Sequence, residues 1–422
     1  MHVFCLCSGL CYNQRAMLLK RLSLTQFRMF DRLEAEFEAG TTILVGSNAQ
    51  GKTSILEAIY YLTGANGVQA THDRELISFD VLQEELPFAR IVAQIESHSR
   101  EQKIEIRLSL HTVGSKNHQR LRREILVNGV KRRVSDLAGI FNAVLFLPRD
   151  IEVVEGSPGN RRRFLDASLS QADSAYANAL TEYGKVISQR NALLKQLRER
   201  RGKPQQLDFW DQRLCEHGAL IMARRASALA ALDAVASQVH AELSRSKEQL
   251  QLRYLPKYDP AHEERDQIPM MIEQDGSQPE LSYQSLRAGL AERLKRIRDH
   301  EIQRGVSVLG PHRDDFQFCV NGVDLGTYGS RGQNRTALLA LKLAEIQWLK
   351  HQTGEWPVLL LDEVLAELDV ERRSDLLERL KAAPQSLLTA ADPDMFLQRF
   401  LRSATIWKVA GGELTPYTNP LS

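Results

Sequence analysis

The octapeptide Gly46-Ser47-Asn48-Ala49-Gln50-Gly51-Lys52-Thr53 constrains this chain more than any other segment. It lies between an apolar run, Thr42-Ile43-Leu44-Val45, and a stretch in which Ile55, Leu56, Ile59 and Tyr60 recur at helical spacing. Strand, glycine-bounded loop and helix in that order are what a phosphate loop requires. Gly46 and Gly51 let the backbone curl so that its N–H groups point inward, and the helix adds its positive N-terminal end. Lys52 is then expected to neutralise the β and γ phosphates, and Thr53 to bind Mg²⁺. The spacing therefore predicts an α/β nucleotide-binding fold.

Far along the chain, Val358-Leu359-Leu360-Leu361-Asp362-Glu363 reads as an apolar strand that ends in two carboxylates. Alone, such an ending is usually the solvated start of a loop. Beside a phosphate loop it completes an ATP site, with Asp362 holding Mg²⁺ directly or through water and Glu363 orienting or deprotonating the attacking water. Upstream of that strand, Tyr328 to Thr336 contains Ser330-x-Gly332-Gln333 and opens a helix through Leu338, Leu341, Leu343 and Ile346. This resembles the signature motif of ABC-type ATPases. There Ser330, Gly332 and the helix N-terminus would contact the γ-phosphate held by a second subunit, with Gln333 and Asp369 in the same nucleotide-binding set. A plain Gly-Ser turn capping a helix is the competing reading. Ala366-Glu367-Leu368-Asp369 resembles the D-loop of the same class.

At 422 residues, 43% hydrophobic and 26% charged, the chain can bury a large core in more than one domain. No apolar stretch approaches the roughly 20 residues needed to span a bilayer. A net charge of only +2 argues against an indiscriminately basic protein and makes the placement of basic residues the informative quantity. Cys5, Cys7 and Cys11 crowd the N-terminus while Cys215 and Cys319 stand singly, so neither a disulfide framework nor a zinc pattern emerges. Met17 opens a clean amphipathic strand, and residues 1–16 are expected to be an extension ahead of the biological start, not a signal peptide. The expected compartment is the reducing cytosol.

Alternation or short apolar runs predict strands over Leu18 to Phe27, Leu33 to Phe37, Thr41 to Val45, Phe88 to Glu96 and Lys103 to Leu110. Asn128-Gly129 and Asn321-Gly322 mark tight hairpins. Arg161 to about Gln251 reads as two long helices joined at Gly202-Lys203-Pro204, an antiparallel helical arm. Asp259 to Glu280 reads as a polar loop and Tyr283 to Arg304 as a further helix. The expected division is 17–160 for the N-terminal part of an ATPase head, 161–304 for the arm, and 305–422 for the C-terminal part of the head.

The whole set resembles one family. Phe27-Arg28-Met29-Phe30, the phosphate loop, Leu147-Pro148-Arg149-Asp150, Glu155 to Asp166, Leu309-Gly310-Pro311-His312-Arg313-Asp314-Asp315, the signature and Leu361-Asp362-Glu363 are similar to motifs of the RecF family of bacterial recombination mediators. The resemblance runs from Met17 to the C-terminus. It implies an SMC-like ABC ATPase head with a short helical arm, an ATP-dependent homodimer, and binding of double-stranded DNA. It also implies work with RecR and RecO in placing RecA at single-strand gaps. Departures are Gln69, where the family commonly carries an arginine, Asn334, where it often has glutamine, and Thr389-Ala390-Ala391-Asp392, which lacks the switch histidine of many ABC ATPases. Slow hydrolysis is the expected consequence.

Basic residues cluster at Arg120, Arg122 and Arg123, at Lys131, Arg132 and Arg133, and at Arg161 and Arg162. They could track phosphates or simply form a solvated face. Arg161 and Arg162 open a helix, where a cation is electrostatically unfavourable, and so hint at a bound anion or at a carboxylate partner such as Asp166. Two other functions compete with a DNA-repair switch. One is the ATPase subunit of a transporter, disfavoured by the missing histidine and the long arm. The other is an ATP-dependent nuclease of the overcoming-lysogenisation type, for which Asp392-Pro393-Asp394 offers a superficial DxD but too little chain follows.

Overall fold

The computed structural model describes residues 15–65, 73–82, 84, 86–113, 118–258, 281–367, 370–393, 396 and 398–417. The expectations for residues 1–14, Gln69, the 259–280 loop, Asp369 and Asp394 fall outside them.

The layer that positions the site is a sheet in the order Ala143–Phe146, Val358–Asp362, Gln385–Ala390, Gly40–Val45, Ala404–Ala410 and Glu413–Pro416. All neighbours are parallel except the final pair. Near-continuous apolar strands such as Val358-Leu359-Leu360-Leu361 suit a parallel sheet because both faces are covered. Ile43, Val45, Leu359 and Leu361 join a core with the arm and signature helices. Leu44, Leu360 and Leu387 point the other way, into a core with the Lys52–Tyr61 helix and a second sheet.

That second sheet is an antiparallel meander over Phe30–Glu36, Leu18–Phe27, Phe88–Ser97, Arg100–Val113, His118–Val127 and Val130–Arg132. Its period-two pattern buries Ile91, Ala93 and Ile95 against Ile104, Ile106 and Leu108 and leaves Gln94 and Arg107 exposed between them. Asn128 and Gly129 turn the last hairpin at φ of 52° and 80°, the conformation for which that dipeptide is suited. The Asn321-Gly322 hairpin forms in the same way, between Asp315–Val320 and Val323–Asp324.

The arm differs from the expected pair of helices. It contains Pro158–Ala172, Ser174–Arg198, Leu207–Leu243 and Tyr283–Arg304. The first break is at Asp173, whose backbone is extended and whose carboxylate accepts from the Tyr176 N–H, starting a new helix with a capping interaction. The long return helix stops at Leu243, earlier than expected, because Leu250–Leu255 alternates with period two and pairs antiparallel with Asp315–Val320.

A buried ion network ties the arm together. Arg190, with no exposed surface, donates to Asp211 at 2.8 Å, to Glu301 at 2.6 Å and to the Ser307 hydroxyl at 2.7 Å. Burial opposes the charge on Arg190, and the two carboxylates outweigh it, raising its pKa. Truncating one partner of such a network leaves uncompensated buried charge. Arg190→Leu is expected to destabilise the fold by about 3–5 kcal/mol in chemical denaturation. A loss within about 0.5 kcal/mol would show that the network relaxes into water.

Candidate active site

The phosphate loop sits at the C-terminal end of Gly40–Val45, where ligands bind in open parallel sheets. Its glycines are sterically required. A Cβ on Gly46 would lie 2.3 Å from the Val409 carbonyl oxygen, and one on Gly51, at φ 97°, would lie 2.6 Å from the Phe30 ring. Ala49 also takes a positive φ, 63°, and the Gln50 side chain accepts from the Gly411 N–H at 2.8 Å, which fastens the loop to the far hairpin of the sheet. Ser47 and Asn48 complete the turn.

Lys52 is 4% exposed, with its ammonium 2.6 Å from the Gly46 carbonyl, 3.1 Å from that of Ser47 and 3.1 Å from Glu363 Oε1. The Thr53 hydroxyl donates to Asp362, 2.9 Å from each carboxylate oxygen. Thr389, opposite Asp362 in the parallel register, donates its hydroxyl to Asp362 at 2.8 Å and accepts from the Glu363 N–H at 2.9 Å. Burial pushes the Asp362 carboxyl above its usual range, against the pull of the Thr389 and Thr53 hydroxyls. Glu363 itself holds a left-handed backbone, φ 51°, which turns its side chain back over the loop. The geometry thus brings Lys52, Thr53, Asp362 and Glu363 into one cluster on the edge of a cavity of about 830 Å³ that Arg28, Met29, Arg74 and Phe79 also line.

Ser330 and Gly332 lie elsewhere. Both are exposed at the start of the Arg331–Thr353 helix, and neither lines that cavity. Ser330 and Gln333 form a reciprocal capping box, the Ser330 N–H donating to Gln333 Oε1 at 3.0 Å and the Gln333 N–H to Ser330 Oγ at 3.3 Å. Gln333 also donates to Glu248 at 2.8 Å. Its side chain therefore holds the turn. Two further residues belong to the site, each inside a stretch named from the sequence but given no role of its own there. Thr389 becomes visible only through strand pairing. Arg28, inside the Phe27-Arg28-Met29-Phe30 motif, pairs with the buried Glu57 across the cavity wall at 3.2 and 3.3 Å.

Residues 18–409 match the RecF/RecN/SMC N terminal domain. The DNA replication and repair protein RecF of Halalkalibacterium halodurans is 39% identical over 94% of this chain and 99% of its own. The chain belongs to the RecF family. RecF of Bacillus subtilis is 37% identical over 94% of this chain and all of its own, 100%. A solved structure described as the recombination mediator protein RecF with ATP in the RecFOR pathway superposes with a TM-score of 0.79 at 30% identity, covering 97% of this chain and 100% of that one. The fold is accordingly that of the ABC-type, SMC-related ATPases, with a strand-rich lobe and an inserted helical arm.

Within this RecF frame the basic residues separate. Arg122 faces outward on the meander and Arg123 the other way, where its guanidinium reaches the Tyr61 hydroxyl at 3.3 Å. Lys131 is exposed but paired with Glu124 at 3.0 Å, and Arg132 and Arg133 are exposed. The Arg120 side chain is outside the described residues. Arg161 is engaged within the chain: its guanidinium makes a bidentate pair with Asp315 at 2.7 and 2.9 Å and donates to the Gly156 carbonyl at 2.8 Å. Arg162 likewise donates to the Asp314 carbonyl at 2.6 Å. The carboxylate partner inferred from the helix start exists, but it is Asp315. Asp166 binds Arg225 instead, at 2.7 Å. Asn334 is buried and donates to Glu155 at 2.9 Å, joining the signature helix to the turn before the arm. No helix among the described residues is long and apolar enough to cross a membrane.

Proposed function

We propose that this chain is an ATP-dependent DNA-binding recombination mediator that acts in the cytoplasm with RecR and RecO to load RecA at gaps. ATP binding joins two heads on duplex DNA and slow, DNA-stimulated hydrolysis releases them. The observation that carries this reading is the separation of two half-sites. Lys52, Thr53 and Glu363 line one cavity with Asp362 bonded to Thr53 behind it, while Ser330 and Gly332 are presented to solvent outside it. A signature turn that cannot serve its own phosphate loop can serve that of a second copy.

The residues fit ATP and Mg²⁺. A buried carboxylate facing a hydroxyl is a hard oxygen donor set, and Thr53 with Asp362 would hold the ion. When bound, Mg²⁺ supplies charge neutralisation across the β and γ phosphates. Lys52 binds the same phosphates from the loop side. Glu363, which that exchange releases from Lys52, orients water and takes its proton. Thr389 holds the Asp362 carboxylate and the backbone N–H of Glu363. A threonine there, in a stretch without histidine, supports slow turnover suited to a switch. In this reading the head comprises residues 17–160 and 305–422 and the arm 161–304. Arg120, Arg122, Lys131, Arg132 and Arg133, together with Arg123 on the other face of its strand, are the head's candidate phosphate contacts.

Ser330→Arg tests the half-site separation. ATP affinity of the monomer should stay within about twofold, since the residue lies outside the cavity, while ATP-driven dimerisation and hydrolysis should fall about tenfold or more because the cation intrudes where the γ-phosphate is clamped. Titration of a fluorescent ATP analogue beside light scattering measures both. An equal loss of monomer affinity would place Ser330 in its own subunit's pocket and contradict the reading.

A further inference from the structure

Basic residues concentrate at the far end of the arm, in a stretch that the phosphate-loop reading does not use. Lys195, Arg198, Arg200, Arg201 and Lys203 face only Glu199 between residues 195 and 203, in a chain whose Lys and Arg total 55 against 53 Asp and Glu. All five cations are exposed. Arg201 approaches Glu199 at 3.6 Å, whereas Lys195, Arg200 and Lys203 pair with no carboxylate among the described residues. Asp208, the nearest acid on the return helix, is taken by Arg298 at 2.6 Å.

The turn is ordered by packing. Leu194, Leu197 and Leu207 are buried together with Leu193 and Ile302 against them, so the charges are carried on a fixed support. Arg200, at φ 60°, and Gly202, at φ 101°, reverse the chain, and the Lys203 N–H is held by Gln206 Oε1 at 3.0 Å. In the first turn of the return helix Phe209 is 59% exposed, braced edge-on by Trp210 with ring centroids 5.0 Å apart. A packed turn that carries cations and leads directly into a helix with an exposed aromatic ring in its first turn has the two elements that hold unpaired nucleic acid: charge for the backbone and a flat ring for a base.

The position adds meaning. The Ser174–Arg198 helix starts where Gln171 is bonded to the head at Gly139 and Ala143. Its 25 residues separate that anchor from the tip. At 1.5 Å per residue that is roughly 37 Å, or about eleven base pairs of duplex. We propose that the arm tip is a second nucleic-acid contact, which takes the single strand adjoining a duplex held by the head. This rests on the DNA-binding reading above. It gives the arm a reason to be stiff and short, because a fixed span relates the head to the strand beyond a junction.

The test is fluorescence anisotropy of the full chain with ATP over several salt concentrations, on a blunt duplex and on the same duplex with a single-stranded extension. The unaltered chain should bind the extended DNA about tenfold more tightly. Replacing Lys195, Arg198, Arg200, Arg201 and Lys203 together by Gln should remove that advantage and lower the salt slope by roughly 0.7 for each phosphate no longer neutralised. Phe209→Ala should lose about tenfold on extended DNA at unchanged slope, and Phe209→Tyr should restore it. Blunt-duplex affinity should not move, and thermal melting confirms that each exposed substitution folds. If the unaltered chain fails to bind blunt duplex with ATP, the DNA reading itself falls. If it binds blunt duplex but gains nothing from the extension, or if the variants match it on extended DNA, the tip proposal alone is overturned and an acidic protein segment becomes the fitting partner.

Discussion

Lys52→Ala is expected to weaken ATP binding by roughly 30-fold or more and to abolish ATP-driven dimerisation, measured by calorimetry and sedimentation. Lys52 is nearly buried and its ammonium is shared by the Gly46 and Ser47 carbonyls and by Glu363. Truncation removes the cation that phosphates would meet and leaves Glu363 facing the loop unopposed, so an anionic ligand encounters repulsion in place of attraction. In the proposed reading ATP joins the two heads, so assembly should disappear with binding. Retained dimerisation by Lys52→Ala would mean that the heads associate through some other surface.

Glu363→Gln should behave in the opposite way. Hydrolysis should fall by about 10²–10⁴-fold, the range for loss of a general base, while ATP binding is kept and the ATP-bound dimer lives longer. The amide preserves the shape of the carboxylate and the Thr389 contact to the Glu363 N–H, but cannot take a proton. Binding should be at least as tight as before, because the ion pair that Lys52 must break to meet phosphate, 3.1 Å long, is absent. Normal turnover in this variant, measured as phosphate released per head, would transfer the base role to another group.

What is legible in the sequence follows from how local each determinant is. The phosphate loop needs a strand, two glycines and a helix within a short window, and all three are contiguous in the chain. The capping box at Ser330 is equally local, yet its consequence for Gln333 emerges only in the fold: the glutamine that completes the motif spends its side chain on the Ser330 N–H and Glu248. The sequence marks the Thr389 stretch only by its missing histidine; the role of Thr389 itself depends on a parallel register that sets it opposite Asp362 across two separate strands. Arg161 misleads for a related reason. Its position at a helix start does call for a counter-charge, but Asp315 lies 154 residues away, and helix rules alone favour the nearby Asp166. In the arm, one continuous helical composition conceals the break at Asp173, where a single capping carboxylate outweighs propensity.

The central claim is that ATP joins two copies through half-sites that one chain cannot bring together. Sedimentation velocity with ATP, ADP or no nucleotide, each with and without duplex DNA, tests it most directly. The account predicts monomer without nucleotide and with ADP, dimer with ATP, and duplex bound by the ATP dimer. A dimer indifferent to nucleotide, or duplex binding by the monomer as tight as by the ATP form, would contradict it.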